Sequence, residues 1–271
     1  MDQILFQAGR FTVTWYGALM ALGFIAALWT ASRRAVLVGV SPEKVADVGP
    51  WLIIGTIIGA RLVYVVSYPQ SFEGKPFWHV FAVWQGGLVF YGGLFGASAA
   101  CVLFCRLNKI PLWKFADVLA PSVALGHAIG RLGCLMNGCC YGKACDLPWA
   151  IKFPVGHETH PVGEAAIPIH PTQIYESLLN FALYLALAWW FRKQRKFDGQ
   201  VFAIYLLGYA VVRSTVEMFR GDYPQSYYAA GWMTPAHKVS IVILLAGILL
   251  YAWQKTNGMT AREIVVTADK K

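Results

Sequence analysis

Charge is scarce in this chain of 271 residues: 14% of them are charged, and acids are scarcer than bases, with 14 Asp and Glu against 23 Lys and Arg. With a hydrophobic content of 57%, this excludes a water-soluble domain as the body of the protein. No internal repeat, low-complexity tract or second domain is visible. Without inverted repeats, the commonest transporter architecture has no support. None of the six cysteines forms a C-x2-C pair, so the usual patterns of structural zinc and of dithiol redox sites are missing. No basic segment precedes the first apolar run, which therefore reads as a retained helix and not a cleaved leader.

What the chain has instead is long apolar runs. Seven are present, at about 14–31, 47–67, 86–105, 116–137, 171–191, 200–220 and 237–254, each near the roughly 20 residues a helix needs to cross hydrocarbon. The expected fold is all-α: one polytopic membrane domain over residues 1–271, with seven transmembrane helices and a small extracytoplasmic cap from loop 138–170. The flanking charges set its direction. Fourteen basic residues follow runs one, three, five and seven (among them Arg33, Arg34, Arg106, Lys109, Arg192, Lys193 and Lys255), whereas Arg10, Lys75, Lys143 and Lys152 lie on the other side. The positive-inside rule then places the N-terminus outside and the C-terminus in the cytoplasm. The net charge of +9 is thereby accounted for without nucleic acid. Segment 68–85, with Phe72, Phe77 and Trp78, reads as an interfacial element, Trp149-Ala150-Ile151 as a strand in the cap, and segment 221–236 as a mobile loop.

Four arginines sit where charge is costly. Arg61 and Arg131 lie inside apolar runs, and Arg213 and Arg220 bracket Glu217 near the end of another. An arginine at such depth costs roughly 2.5–3.5 kcal/mol on insertion scales, which makes it functional by default. His127 and Arg131 share a helix face, with Asn137 at the outer end of the same segment; a snorkelling arginine is the simpler alternative. Arg213, Glu217 and Arg220 also share a face. They read either as a structural ion pair with an interfacial arginine, or as a surplus of positive charge awaiting an anion. Guanidinium matches phosphate oxygens in pairs, so a phospholipid headgroup is the natural anion.

His170-Pro171-Thr172-Gln173 opens run five, with Glu176 following, and offers either a helix cap or one wall of a polar cavity lined by His170, Gln173 and Glu176. Tyr16 and Tyr91 are open between interfacial anchors and site residues. Glycines recur four apart in the runs, at Gly55/Gly59, Gly92/Gly96 and Gly126/Gly130. They point to close helix packing, with room for a headgroup as a second use of Gly92-Gly93 and Gly130/Gly133. Cys101 and Cys105 read as packing residues, while Cys134, Cys139, Cys140 and Cys145 remain open among free thiols, one disulfide and a metal site.

At these motifs the chain resembles the bacterial prolipoprotein diacylglyceryl transferases. Gly130-Arg131-Leu132-Gly133-Cys134-Leu135-Met136-Asn137-Gly138, with Gly142 after it, resembles the family signature. Gly59-Ala60-Arg61-Leu62, Gly86 to Gly93, His170-Pro171-Thr172-Gln173 and Arg213-x3-Glu217-x2-Arg220 resemble further family blocks in the same order. The resemblance implies transfer of a diacylglyceryl group from phosphatidylglycerol to the lipobox cysteine thiol in a prolipoprotein signal peptide. A thioether forms and glycerol phosphate leaves, in the bacterial inner membrane and toward its outer leaflet. It implies Arg131, Arg213, Tyr91 and His170 as catalytic residues and Tyr16, Arg61, Asn137, Gly142, Gln173, Glu217 and Arg220 as substrate-binding, with no metal, cofactor or nucleic acid. Some family members carry histidine where this chain has Tyr91, and asparagine is common where Cys134 stands. A transporter or flippase for an anionic lipid, and a membrane thiol-redox protein, are the competing classes.

Overall fold

A computed structural model describes residues 4–9, 11–222 and 233–257. Arg10, most of the expected mobile loop and the basic C-terminal residues Arg262, Lys270 and Lys271 lie outside the described residues. Seven α-helices are described: α1 (Trp15–Ala35), α2 (Pro42–Ser67), α3 (Phe90–Leu107), α4 (Leu112–Asn137), α5 (Thr172–Lys193), α6 (Gln200–Glu217) and α7 (Pro235–Asn257). Each coincides with one expected run. All except α6 are long and apolar enough to cross a membrane. α6 falls short because its 18 residues include Gln200, Arg213 and Glu217. Ile25, Val66, Leu178, Val242 and Leu249 lie exposed on helix exteriors, as side chains facing hydrocarbon would.

One element adds to the helices. β1 (Ile4–Ala8) and β2 (Phe11–Thr14) pair antiparallel ahead of α1, with Gly9 at φ +60 in the turn. The strands are too short for an alternating pattern to show, and their exposed Ile4, Phe6 and Val13 merge into the apolar run that follows. The expected strand at Trp149–Ile151 is likewise only an isolated bridge between Ile151 and Ile169. The cap is instead held by buried Phe153 and Ile169 and by His157, which stacks on Phe153 at 4.2 Å and bonds the Gly138 carbonyl at 2.7 Å.

The chain forms two compact units, one of Ala31–Phe115 and one of Met1–Thr30 with Ala116–Lys271. In the first, α2 and α3 pack together along glycines. A Cβ on Gly96 would stand 2.1 Å from the Gly55 carbonyl oxygen, and one on Gly59 would stand 2.3 Å from that of Gly92. These glycines therefore serve backbone approach, and Gly92 has no room to spare for a headgroup. Ser41 caps α2 by accepting from Glu43 N at 3.2 Å, with Pro42 in the first turn. Segment 68–85 forms three short 3-10 turns whose Phe77, Trp78, Phe81 and Trp84 are exposed.

In the other unit, α6 packs on α5 and α7. α4 approaches α1 through Gly126, Gly130 and Gly133, which meet Gly23, Met20 and Tyr16. Gly130 and Gly133 thus make room for a helix. Asp117 of α4, fully buried, caps the start of α6: it accepts from Gly199 N and Phe202 N, both at 2.9 Å, and from Arg195 Nε at 3.0 Å. This anchor fixes the helices that carry the site.

Candidate functional site

The site is assembled in the second unit around Glu176 of α5, which is 2% exposed. Arg131 of α4 reaches its Oε1 with Nη2 at 2.9 Å, and Arg213 of α6 reaches its Oε2 with Nη1 at 3.4 Å. One buried carboxylate therefore holds a guanidinium on each oxygen. Arg131 Nε also donates to His127 Nε2 at 3.0 Å, and the same nitrogen lies 3.3 Å from Glu176 Oε1.

A second carboxylate stands beyond Arg213. Glu217, 1% exposed, meets Arg213 Nη2 at 2.8 Å, one turn along the same helix as the spacing required. Thr234, just ahead of α7, donates to Glu217 Oε1 at 2.6 Å. α6 ends at Glu217, so Arg220 lies past the helix; its Nε is 3.9 Å from Glu217 and 2.9 Å from Asp222.

Three arginines thus face three carboxylates, which corrects the expected surplus of positive charge. The sequence placed Glu176 in a cavity wall, and Asp222 lies just beyond the sixth apolar run. What remains for an anion is donor capacity. The contacts of Arg131 with Glu176 and of Arg213 with Glu217 are close ion pairs, yet Glu176 Oε1 and Glu217 Oε2 lack an aligned hydrogen bond. Among the described residues, Arg131 Nη1 has a hydrogen-bond contact with the Cys134 thiol alone, at 3.9 Å. The guanidiniums are positioned by charge while part of their N–H fork stays unspent.

At the outer end of α4, Cys134, Cys139 and Cys140 bring their sulfur atoms within 4.8 Å of one another. All six cysteines are free thiols. Gln173, fully buried, donates to the Cys139 carbonyl at 2.8 Å, and Thr172 to that of Cys140 at 2.7 Å. Hydrogen bonds from Cys134 and Cys139, with Arg220 and Arg131 nearby, hold the Cys140 thiol well below the ordinary range. Asn137 acts on the Cys139 thiol, and Tyr16 of α1 lies within electrostatic reach of Arg131 and the three thiols.

His170 joins a different group. Its ring packs against Phe219 at 5.2 Å and its Nδ1 lies 3.3 Å from the Tyr175 hydroxyl, which also accepts from Trp149 Nε1 at 2.8 Å. These rings, with Leu147, Leu179 and Val216, line an apolar cavity of about 350 Å³. The expected wall of His170, Gln173 and Glu176 is therefore divided among the aromatic cavity, the cysteine carbonyls and the arginines, because His170 precedes the first turn of α5. Gly142 works through its backbone: its N–H donates to the His170 carbonyl at 3.2 Å, it bridges to Arg220, and a Cβ there would stand 2.4 Å from His170 O.

Two expected site residues belong to the unit of Ala31–Phe115. Arg61, buried, donates to the carbonyls of Val80 at 2.8 Å, Gly86 at 2.7 Å, Gly87 at 3.2 Å and His79 at 2.6 Å, and lies over the rings of Tyr64 and Phe72. The residue expected to bind substrate thus clamps segment 77–87, because that segment turns its carbonyls onto the guanidinium. Tyr91, in the first turn of α3, is 46% exposed and packs edge-on against Phe90.

Residues 3–253 match the family model described as prolipoprotein diacylglyceryl transferase. Curated relatives carry the name phosphatidylglycerol–prolipoprotein diacylglyceryl transferase. That of Gloeobacter violaceus is 38% identical, covering 92% of this chain and 90% of its own. That of Synechococcus elongatus is 36% identical, over 92% and 86% respectively. That of Aliivibrio salmonicida is 34% identical, over 100% and 94%.

Proposed function

The chain belongs to the prolipoprotein diacylglyceryl transferase family, and from that premise we propose how its arginine pair serves the reaction. It is a multi-pass membrane transferase that moves the diacylglyceryl group of phosphatidylglycerol to prolipoproteins. The observation that carries the mechanism is the pair of guanidiniums on the two oxygens of Glu176. Two forks so close together fit the non-ester oxygens of one lipid phosphate, which guanidinium pairs well.

The acceptor is the thiol of the lipobox cysteine. Its sulfur lone pair forms a C–S bond at the glycerol carbon of the diacylglyceryl group, and the bond from that carbon to the phosphate-ester oxygen breaks with its electrons going to that oxygen. Glycerol phosphate leaves, the thiol proton passes to the phosphate oxygen freed by the cleavage, and a thioether remains. Charge grows on the departing phosphate, and Arg131 and Arg213 stabilise it there; donors set in place beforehand supply the largest share of such catalysis. Glu176 and Glu217 orient the two forks, and Arg220 adds to the positive field. The apolar cavity beside His170 suits an acyl chain or an apolar stretch of signal peptide. Tyr16, Asn137 and Gln173 are assigned to the substrates around this core, and Tyr91 is assigned a hydrogen bond to a lipid phosphate or ester oxygen.

The enzyme sits in the bacterial inner membrane with the N-terminus outside, the C-terminus in the cytoplasm and the active site toward the outer leaflet. This direction is supported by the basic residues in the last turns of α1, α3, α5 and α7. Depletion of the gene tests the function: unlipidated prolipoprotein should accumulate, and normal lipoprotein mobility after depletion refutes it.

A further inference from the structure

The cluster of Cys134, Cys139 and Cys140 has no part in the grip on phosphate, since the attacking thiol belongs to the substrate. Its geometry nevertheless suits a ligand. Thiolates bound at about 2.3 Å to a common ion stand about 4 Å apart around a trigonal centre. Sulfur atoms already within 4.8 Å of one another close onto such an ion with movements below about 1 Å. The donor set is sulfur alone, with neither imidazole nor carboxylate in the group. Zinc is usually completed by a fourth ligand, whereas soft monovalent copper is selected by thiolate sulfur. Cys145 stands outside the group.

The surroundings are built to hold this arrangement. Thr172 and Gln173 fix the carbonyls of the adjacent Cys140 and Cys139. Cys140 keeps φ at +62, a left-handed conformation that costs a non-glycine residue roughly 1–2 kcal/mol. Three thiolates on a monovalent ion carry two net negative charges, and Arg131 lies 3.9 Å from Cys134 to offset them.

We propose that Cys134, Cys139 and Cys140 form a three-thiolate site for Cu(I), and that its occupation draws Cys134 and Arg131 into a fixed complex and inhibits transfer. The second clause rests on the role given to Arg131 above. The test uses the full chain, reduced and anaerobic in detergent, titrated with Cu(I) against a chromogenic Cu(I) chelator. One tight equivalent is expected, with three sulfur neighbours in its X-ray absorption spectrum. Cys139→Ser and the triple Cys→Ser variant should lose the tight equivalent, while Cys145→Ser retains it; thermal unfolding of each confirms a folded protein. Absence of tight binding, retention of the equivalent in Cys139→Ser, or displacement of Cu(I) by equimolar Zn(II) overturns the site. Transfer should fall in the Cu(I)-loaded parent and not in Cys139→Ser exposed to the same Cu(I). Undiminished transfer by a loaded parent overturns the coupling to Arg131, and because the stoichiometry is read independently, that failure is distinct from a failure of the assigned reaction.

Discussion

Replacing Glu176 by glutamine removes one negative charge from between two guanidiniums while leaving the side chain's shape almost unchanged. Only one of the two contacts can survive. The amide oxygen should stay with Arg131, whose approach of 2.9 Å is the shorter, so the new NH2 faces Arg213, now at 3.4 Å. Two like donors then point at each other, and Arg213 falls back on Glu217 alone. Removing one partner from a buried pair costs about 3–5 kcal/mol. One contact persists and the arginine side chains are only 14% and 11% exposed, so the lower end, about 3 kcal/mol, is expected with little loss to solvent screening. If that loss falls on the orientation of the forks in the transition state, transfer drops about 10²-fold, at 1.36 kcal/mol per decade. The drop should appear in kcat, measured as lipidation of a lipobox peptide in mixed micelles of phosphatidylglycerol. The opposite view is that Glu176 merely competes with phosphate for the arginines. It predicts a lower KM for phosphatidylglycerol and an unchanged kcat in Glu176→Gln, and that result would refute the positioning argument.

Two further substitutions separate structural from catalytic work. Arg61→Met removes the donors to four backbone carbonyls around segment 77–87, each charge-assisted bond being worth about 1.5–3 kcal/mol; a marked fall in Tm in detergent is expected, and an unchanged Tm would contradict the clamp. Tyr91→Phe should lower transfer by roughly 0.5–1.5 kcal/mol, the worth of one neutral hydrogen bond. A loss of 10²–10⁴-fold that shrinks at alkaline pH would instead mark Tyr91 as the general base.

The helices were legible because each is a run of apolar residues, and six of the seven described are long and apolar enough to cross a membrane. The hairpin Ile4–Thr14 was not, since its short strands blend into the run that follows. Within the site, Arg213 with Glu217 followed from helical spacing, and Arg131 with His127 likewise, because these pairs are local in sequence. The link between them is Glu176, on a third helix; spacing within α5 suggested a common wall with His170 and could not report which neighbour each residue meets. Arg61 illustrates the same limit. A buried arginine signals a polar partner, but the sequence does not say whether that partner is a lipid or the chain's own carbonyls. Asp117 went unnoticed for the converse reason: two of its partners are the N–H groups of Gly199 and Phe202, which have no side-chain signature, and the third, Arg195, lies 78 residues away.

The central claim is that Arg131 and Arg213 grip one phosphate through paired N–H donors and not through charge alone. Arg131→Lys tests it most directly, because lysine keeps the charge and loses the planar fork. With Arg131→Lys purified and correctly inserted, kcat/KM for phosphatidylglycerol in the peptide lipidation assay should fall by about 10² or more, the scale on which loss of one transition-state donor is felt. It should approach the value of Arg131→Ala. Activity within a few-fold of the parent would show that a point charge suffices at this position, and would contradict the account.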